Sequence, residues 1–283
     1  MKKRFKQFGF AFIASIALSS CVNLKHVNQF SSTSLKSIKT FEKLNYSFTQ
    51  SCIDRCVIES FNNLRIDFKE CDCKMDKVAD SITLKIYGSI GGYFNSLAKL
   101  SDNGLTAYKT EILETALTEG NFGSITIDKK HVVSYSKISE LLIGAFTDGY
   151  RRSKLKKYVK NANEPVKELI RFLDFNISEN LKGKLAVKKN RVKAVYFDLL
   201  AESSLSTVEK RNSIEKYYTE INKINKQQKK LETYSKALNK ILKGHQKLYD
   251  NIDKLKVKEI KQSLFQYASE INLIISEFKK IEE

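Results

Sequence analysis

An all-α fold, an elongated helical bundle with a long C-terminal antiparallel coiled-coil hairpin, is what this sequence predicts, and three observations carry it. A single proline, Pro165, and 11 glycines in 283 residues leave few of the turns that an all-β chain requires. Apolar residues recur at three- and four-residue steps through most of the chain, the spacing of one helix face. In the last third those steps hold over more than five heptads, which marks a coiled-coil seam.

The C-terminal segment, 205–283, is the clearest element. Ser206 and Glu209 have capping-box spacing. The seam then runs Ile214, Tyr217, Ile221, Ile224, Gln228, Leu231, Ser235, Leu238, Leu242, His245, Tyr249 and Ile252. It shifts phase and resumes at Val257, Ile260, Leu264, Tyr267, Ile271, Ile274, Phe278 and Ile281. Two helices, near 206–252 and 256–282, are therefore expected to pack as a hairpin, the first about 70 Å long at ~1.5 Å per residue. Gly244 offers an alternative turn, but the seam crosses it without losing phase. Gln228, Ser235 and His245 pack weakly, as residues that set register or border a water do.

Upstream, 36–204 reads as a helical domain. Ile38, Phe41, Leu44, Phe48, Cys52 and Cys56 predict a helix over Lys36–Asn63, and Leu64–Lys74 alternates like an extended segment. Val78, Ile82, Ile86, Ile90, Tyr93, Leu97 and Leu100 form a second stripe. Its small residues Gly88, Ser89, Gly91 and Gly92 cost helix propensity, so a neighbouring helix is expected to approach closely there. A shorter helix over Leu105–Thr118 follows, then a small hairpin between Ser124 and Val133 turning at Asp128-Lys129-Lys130. His131 reads as a surface residue. A fourth helix is expected over Tyr135–Asn161, and another begins near Pro165, in whose first turn proline is tolerated.

The N-terminus carries an address. Lys2, Lys3, Arg4 and Lys6 precede the apolar run Phe8–Leu18, the charged and hydrophobic regions of an export signal over 1–20. Eleven residues are too few for a membrane-spanning helix, which needs ~20. Leu18-Ser19-Ser20-Cys21 resembles the lipobox of bacterial lipoproteins. The resemblance implies cleavage before Cys21 and acylation of that cysteine, and two or more acyl chains give stable attachment to membrane lipid. Val22 follows where enterobacterial proteins retained in the inner membrane carry Asp, so the analogy implies the outer membrane, facing the periplasm. Residues 21–35, with the polar cluster Ser31-Ser32-Thr33-Ser34, then read as a flexible tether holding the domain some ~20 Å off the surface. His26, within it, is expected to be solvated.

With Cys21 spent on lipid, Cys52, Cys56, Cys71 and Cys73 form an even set in an oxidising compartment, which favours disulfides. A bond between Cys71 and Cys73 would close a very small ring. Nested pairs, Cys56 with Cys71 and Cys52 with Cys73, suit a chain folding back along its helix. The competing use is a four-cysteine zinc site, for which C-x-C spacing is poor.

Charge bounds the partners. The chain carries +18, and loss of residues 1–20 removes four basic and no acidic side chains, leaving +14. In the envelope, the acidic partners available are lipopolysaccharide, anionic lipid, wall polymers and acidic proteins; nucleic acid is a poor candidate. Two basic clusters stand out. Arg151, Arg152, Lys154, Lys156 and Lys157 form one, and Lys188, Lys189 and Arg191 lie in the other. They are either ordinary solvated helix faces or one convergent anion-binding patch with Tyr150 and Tyr158 for stacking. No phosphate loop, zinc-protease motif or nucleophile elbow is present. The expectation is a protein with no catalytic site, cofactor or metal, which binds or spaces an envelope protein partner, with an anionic ligand as the alternative.

Overall fold

The computed structural model describes residues 24–63, 71–102, 116–147 and 154–283. The architecture is all-α. The helices are α1 (Lys25–Ile38), α2 (Phe48–Asn62), α3 (Lys74–Ser101), α4 (Lys129–Thr147), α5 (Leu155–Phe175), α6 (Lys182–Ala201), α7 (Thr207–Asp250) and α8 (Lys258–Glu282). A 3-10 turn covers Lys39–Lys43, and a two-stranded hairpin, β1 (Gly120–Phe122) and β2 (Ile125–Ile127), is the sheet among the described residues.

The expected tether is replaced by a central helix. Within α1, Val27, Phe30 and Ile38 are fully buried, and α1 lies between α3 and α8. Ser31, Thr33, Ser34 and Ser37 are buried as well. A cluster of small hydroxyls resembles a linker in composition, but on a helix it lets a neighbouring backbone come close. Ser31 satisfies its own hydroxyl by donating to the Val27 carbonyl at 2.8 Å. The small-residue patch of α3 lies opposite, where a Cβ on Gly91 would sit 3.8 Å from Leu35 Cδ1.

Helix α1 ends well before the predicted first helix would. The chain breaks at 44–47, where Asn45 takes φ 53°, and α2 begins at Ser47, whose side chain accepts from Gln50 N. Asp80 of α3 caps the same terminus, accepting from Phe48 N at 2.9 Å and Thr49 N at 3.0 Å. That carboxylate favours the positive helix end and so fixes α2 against α3.

Two more expectations are corrected. The hairpin turns at Gly123, φ 60°, with Phe122 paired to Ile125, so Asp128-Lys129-Lys130 leads into α4 instead. Pro165 lies inside α5, because the buried stripe Leu155, Tyr158, Val159, Ala162, Val166, Leu169 and Leu173 begins ten residues before it. From α5 the chain continues through a π-helical turn, Asn176–Leu181, directly into α6. Asn180 braces that turn, donating to the Ser124 carbonyl at 2.9 Å. The predicted helix at Leu105–Thr118 lies outside the described residues except for 116–118, which are not helical.

The C-terminal hairpin is observed as expected. Ser206 and Glu209 cap α7 reciprocally, and α7 and α8 pack antiparallel about the turn at 251–257. Gly244 lies within α7, not at a turn.

Candidate interaction surface

The long antiparallel pair formed by α5 to α6 and α7 gives the molecule two distinct ends. At one, Lys156 and Lys160 of α5 pair with Asp253 in the α7–α8 turn. Helix α1 begins at the same end, where His26 packs edge-on against Phe265 of α8. At the other end lies the α6–α7 connection, 202–206. The 44 residues of α7 place the two ends about 66 Å apart at ~1.5 Å per residue.

Toward that far end the body stops before the helices do. The C-terminal Glu282 accepts from Lys43 at 2.8 Å and, through its carbonyl, from Lys226 at 2.9 Å. On the N-terminal side of Ile224, α7 packs with α6, and none of the described residues 193–223 is buried. This arm is held by a thin aromatic seam. Tyr196 meets Tyr217 edge-on at 5.7 Å, and Phe197 lies 6.2 Å from the same ring. Such pairs contribute only about 1 kcal/mol each beyond their buried area. Large apolar side chains remain uncovered: Val208 is 66% exposed, Tyr218 60% and Phe197 53%. An apolar surface of this kind rimmed by charges is a mark of a contact site. The arm's charge also balances, with Lys193, Lys210, Arg211, Lys216 and Lys223 against Asp198, Glu202, Glu209, Glu215 and Glu220. In a strongly basic chain, this segment is neutral.

Comparison with family models, curated proteins and solved structures returned no match.

The structure separates the two predicted basic clusters. Lys154, Lys156 and Lys157 sit at the start of α5, whereas Lys188, Lys189 and Arg191 lie on α6, about 32 residues further along one continuous helical run. Lys188 pairs with Asp54 at 2.9 Å, Arg191 with Glu59 at 3.8 Å, and Lys189 donates to Asn225 at 2.8 Å. Lys188 and Arg191 line a cleft of about 630 Å³ between α2 and α6 that also contains Asp76 and Glu179. Among the described residues, the members of the two clusters are therefore held apart. Arg151 and Arg152, like Cys21 and the signal segment, lie outside the described residues.

The four remaining cysteines pair in the nested arrangement, Cys52–Cys73 and Cys56–Cys71, binding α2 to the segment that enters α3. None is left as a thiolate to ligate zinc. Among the described residues, no group of three or more His, Cys, Asp or Glu side chains is placed to hold a metal, and no helix is long and apolar enough to cross a membrane.

Two of the three histidines depart from expectation. His26 and His131 are buried where solvent was predicted. His131 closes the first turn of α4, Nδ1 accepting from Asp128 N at 3.0 Å, while Nε2 approaches Glu168 at 3.4 Å. His245 lies 2.7 Å from the Tyr93 hydroxyl, and Tyr93 stacks on Tyr158. Burial lowers His245 to about 4, so the ring is neutral where Nε2 shares its hydrogen bond with the Tyr93 hydroxyl. Burial, and then the nearby Lys261 charge, lower His26 to about 4 as well. His26 and His245 sit within the packed body, whereas His131 lines a cleft of about 480 Å³ together with Lys130, Glu168, Arg171 and Asn180.

The exposed arm residues were not singled out by periodicity, because Tyr217 and Ile221 read as seam. The usable signal was the doublets Tyr196-Phe197 and Tyr217-Tyr218. On a helix adjacent residues point ~100° apart, so only one of each pair can lie in the seam.

Proposed function

We propose that this chain is a non-catalytic lipoprotein, anchored through acylated Cys21 in the outer membrane and facing the periplasm, whose helical body spaces the α6–α7 arm from the bilayer and presents it to a helical envelope protein. The observation that carries the reading is the arm itself: a 31-residue stretch, Lys193–Lys223, with no buried residue, balanced charge and exposed Phe197, Val208 and Tyr218. A third amphipathic helix laid along the two would complete the seam that they leave open. Neutrality favours apolar contact over polyanion binding, so association should survive raised salt.

The test is site-specific photocrosslinking in cells. A crosslinker at Tyr218 or Val208 is expected to give a discrete protein adduct, whereas one at Leu273, equally exposed on α8, gives none. Phe197→Ser with Tyr218→Ser should abolish the Val208 adduct while shifting stability by less than about 1 kcal/mol, since neither side chain is buried. Equal adducts from all three positions, or an adduct indifferent to the double substitution, would contradict the reading.

A further inference from the structure

We propose that the end of the molecule opposite the arm is a docking face for phosphate-bearing lipid headgroups, so that the protein stands upright on an anionic bilayer. The inference rests on acylation of Cys21 and goes beyond it. Two residues, Val22 and Asn23, separate Cys21 from Leu24, and the three steps of chain reach at most about 11 Å. Leu24 is buried in the body at the start of α1, so an anchored Cys21 brings this end against the bilayer.

The chemistry of the face matches what it would meet. The start of α5 carries Lys154, Lys156, Lys157 and Lys160 with no acid among them. The α7–α8 turn and first turn of α8 add Lys254, Lys256, Lys258 and Lys261 against Asp253 and Glu259. Val257, 42% exposed, sits between Lys256 and Lys258, an apolar side chain flanked by cations. Three helices, α1, α5 and α8, begin at this end, and neither α1 nor α5 has an acidic residue in its first turn. A helix N-terminus carries about half a positive charge, so lysines there oppose the dipole and weaken their own helices. The sequence accepts that cost at two termini on one face, those of α1 and α5, while Glu259 favours the start of α8. An anionic surface adds to the counter-charge that Asp253 gives Lys156 and Lys160, and each further lysine brought to it is worth about fivefold in affinity.

The experiment is lysine acetylation footprinting of the full acylated protein, reconstituted into vesicles of phosphatidylcholine alone or mixed with phosphatidylglycerol. Its intact mass is measured first. On anionic vesicles at low salt, labelling of Lys157, Lys254, Lys256 and Lys258 is expected to fall at least about threefold relative to neutral vesicles and to recover at high salt. Lys210, Lys216 and Lys223 of the arm should label equally on both. Equal labelling of the basic face on both vesicles overturns the proposal while leaving the anchor standing. Protection that includes the arm lysines also overturns it, because the molecule would then lie flat. A mass without acyl chains removes the anchor, and the docking geometry with it.

Discussion

Gly244→Ala is expected to destabilise the protein by about 1–3 kcal/mol, the opposite sign to an ordinary helical glycine. Alanine normally gains nearly ~1 kcal/mol over glycine inside a helix. Here a Cβ would overlap the edge of the Phe30 ring and lie 3.2 Å from Tyr267 Cγ. Phe30 is fully buried and packs edge-on against Phe94, so it has no room to withdraw. Phe30→Ala alone should cost about 3–5 kcal/mol. The double substitution should cost less than the sum, since removing the ring removes the overlap. Urea unfolding followed by circular dichroism measures all three. A stabilising Gly244→Ala would mean that residues 25–38 do not pack on α7, and would restore the flexible tether.

Stability should fall as pH drops from about 6.5 to about 4, and His245 should account for about 3 kcal/mol of the loss. Its folded value lies near 4 because burial penalises the imidazolium, while in the unfolded chain it titrates near 6.5. Between those values the unfolded state binds the extra proton, so acid favours unfolding; above the window the stability is complete, and below it no more is lost. His26 acts in the same direction over the same window. Carboxylates held low by lysine partners, such as Glu270 beside Lys240, add their own losses at lower pH. His245→Gln keeps an acceptor for the Tyr93 hydroxyl but cannot titrate. Comparing urea midpoints at about pH 7 and about pH 4.5, this variant should show a smaller difference than the parent; an unchanged difference would mean that His245 is solvated.

The long periodic elements were legible in the sequence because their burial follows one face: the α3 stripe, the α7–α8 seam and its capping box all appear where the spacing puts them. Nested pairing of the cysteines, favoured in the sequence because it suits a chain folding back along its helix, is the arrangement formed. What escaped were features decided by tertiary contact. The Ser31-Ser32-Thr33-Ser34 stretch has the composition of a linker, and only its neighbours make it a close-packed helix interface. Pro165 read as a helix start because its propensity outweighed, locally, a stripe that began at Leu155. The two basic clusters could be joined on paper, but a rigid helical run holds Lys156 and Lys188 apart. Seam spacing likewise does not reveal where the partner helix stops, so Ile214 and Tyr217 carry the same signal as Leu231 although α8 and α1 no longer cover them.

The standing orientation is tested most directly by energy transfer from the protein to acceptor-labelled headgroups in the anchored state. A donor introduced at Ser204→Cys, at the arm tip, should lie about 60 Å or more from the bilayer and transfer weakly, whereas one at Glu259→Cys should lie close and transfer strongly. Equal, strong transfer from both positions would mean that the molecule lies along the membrane, and would contradict a body that holds its arm out to a partner.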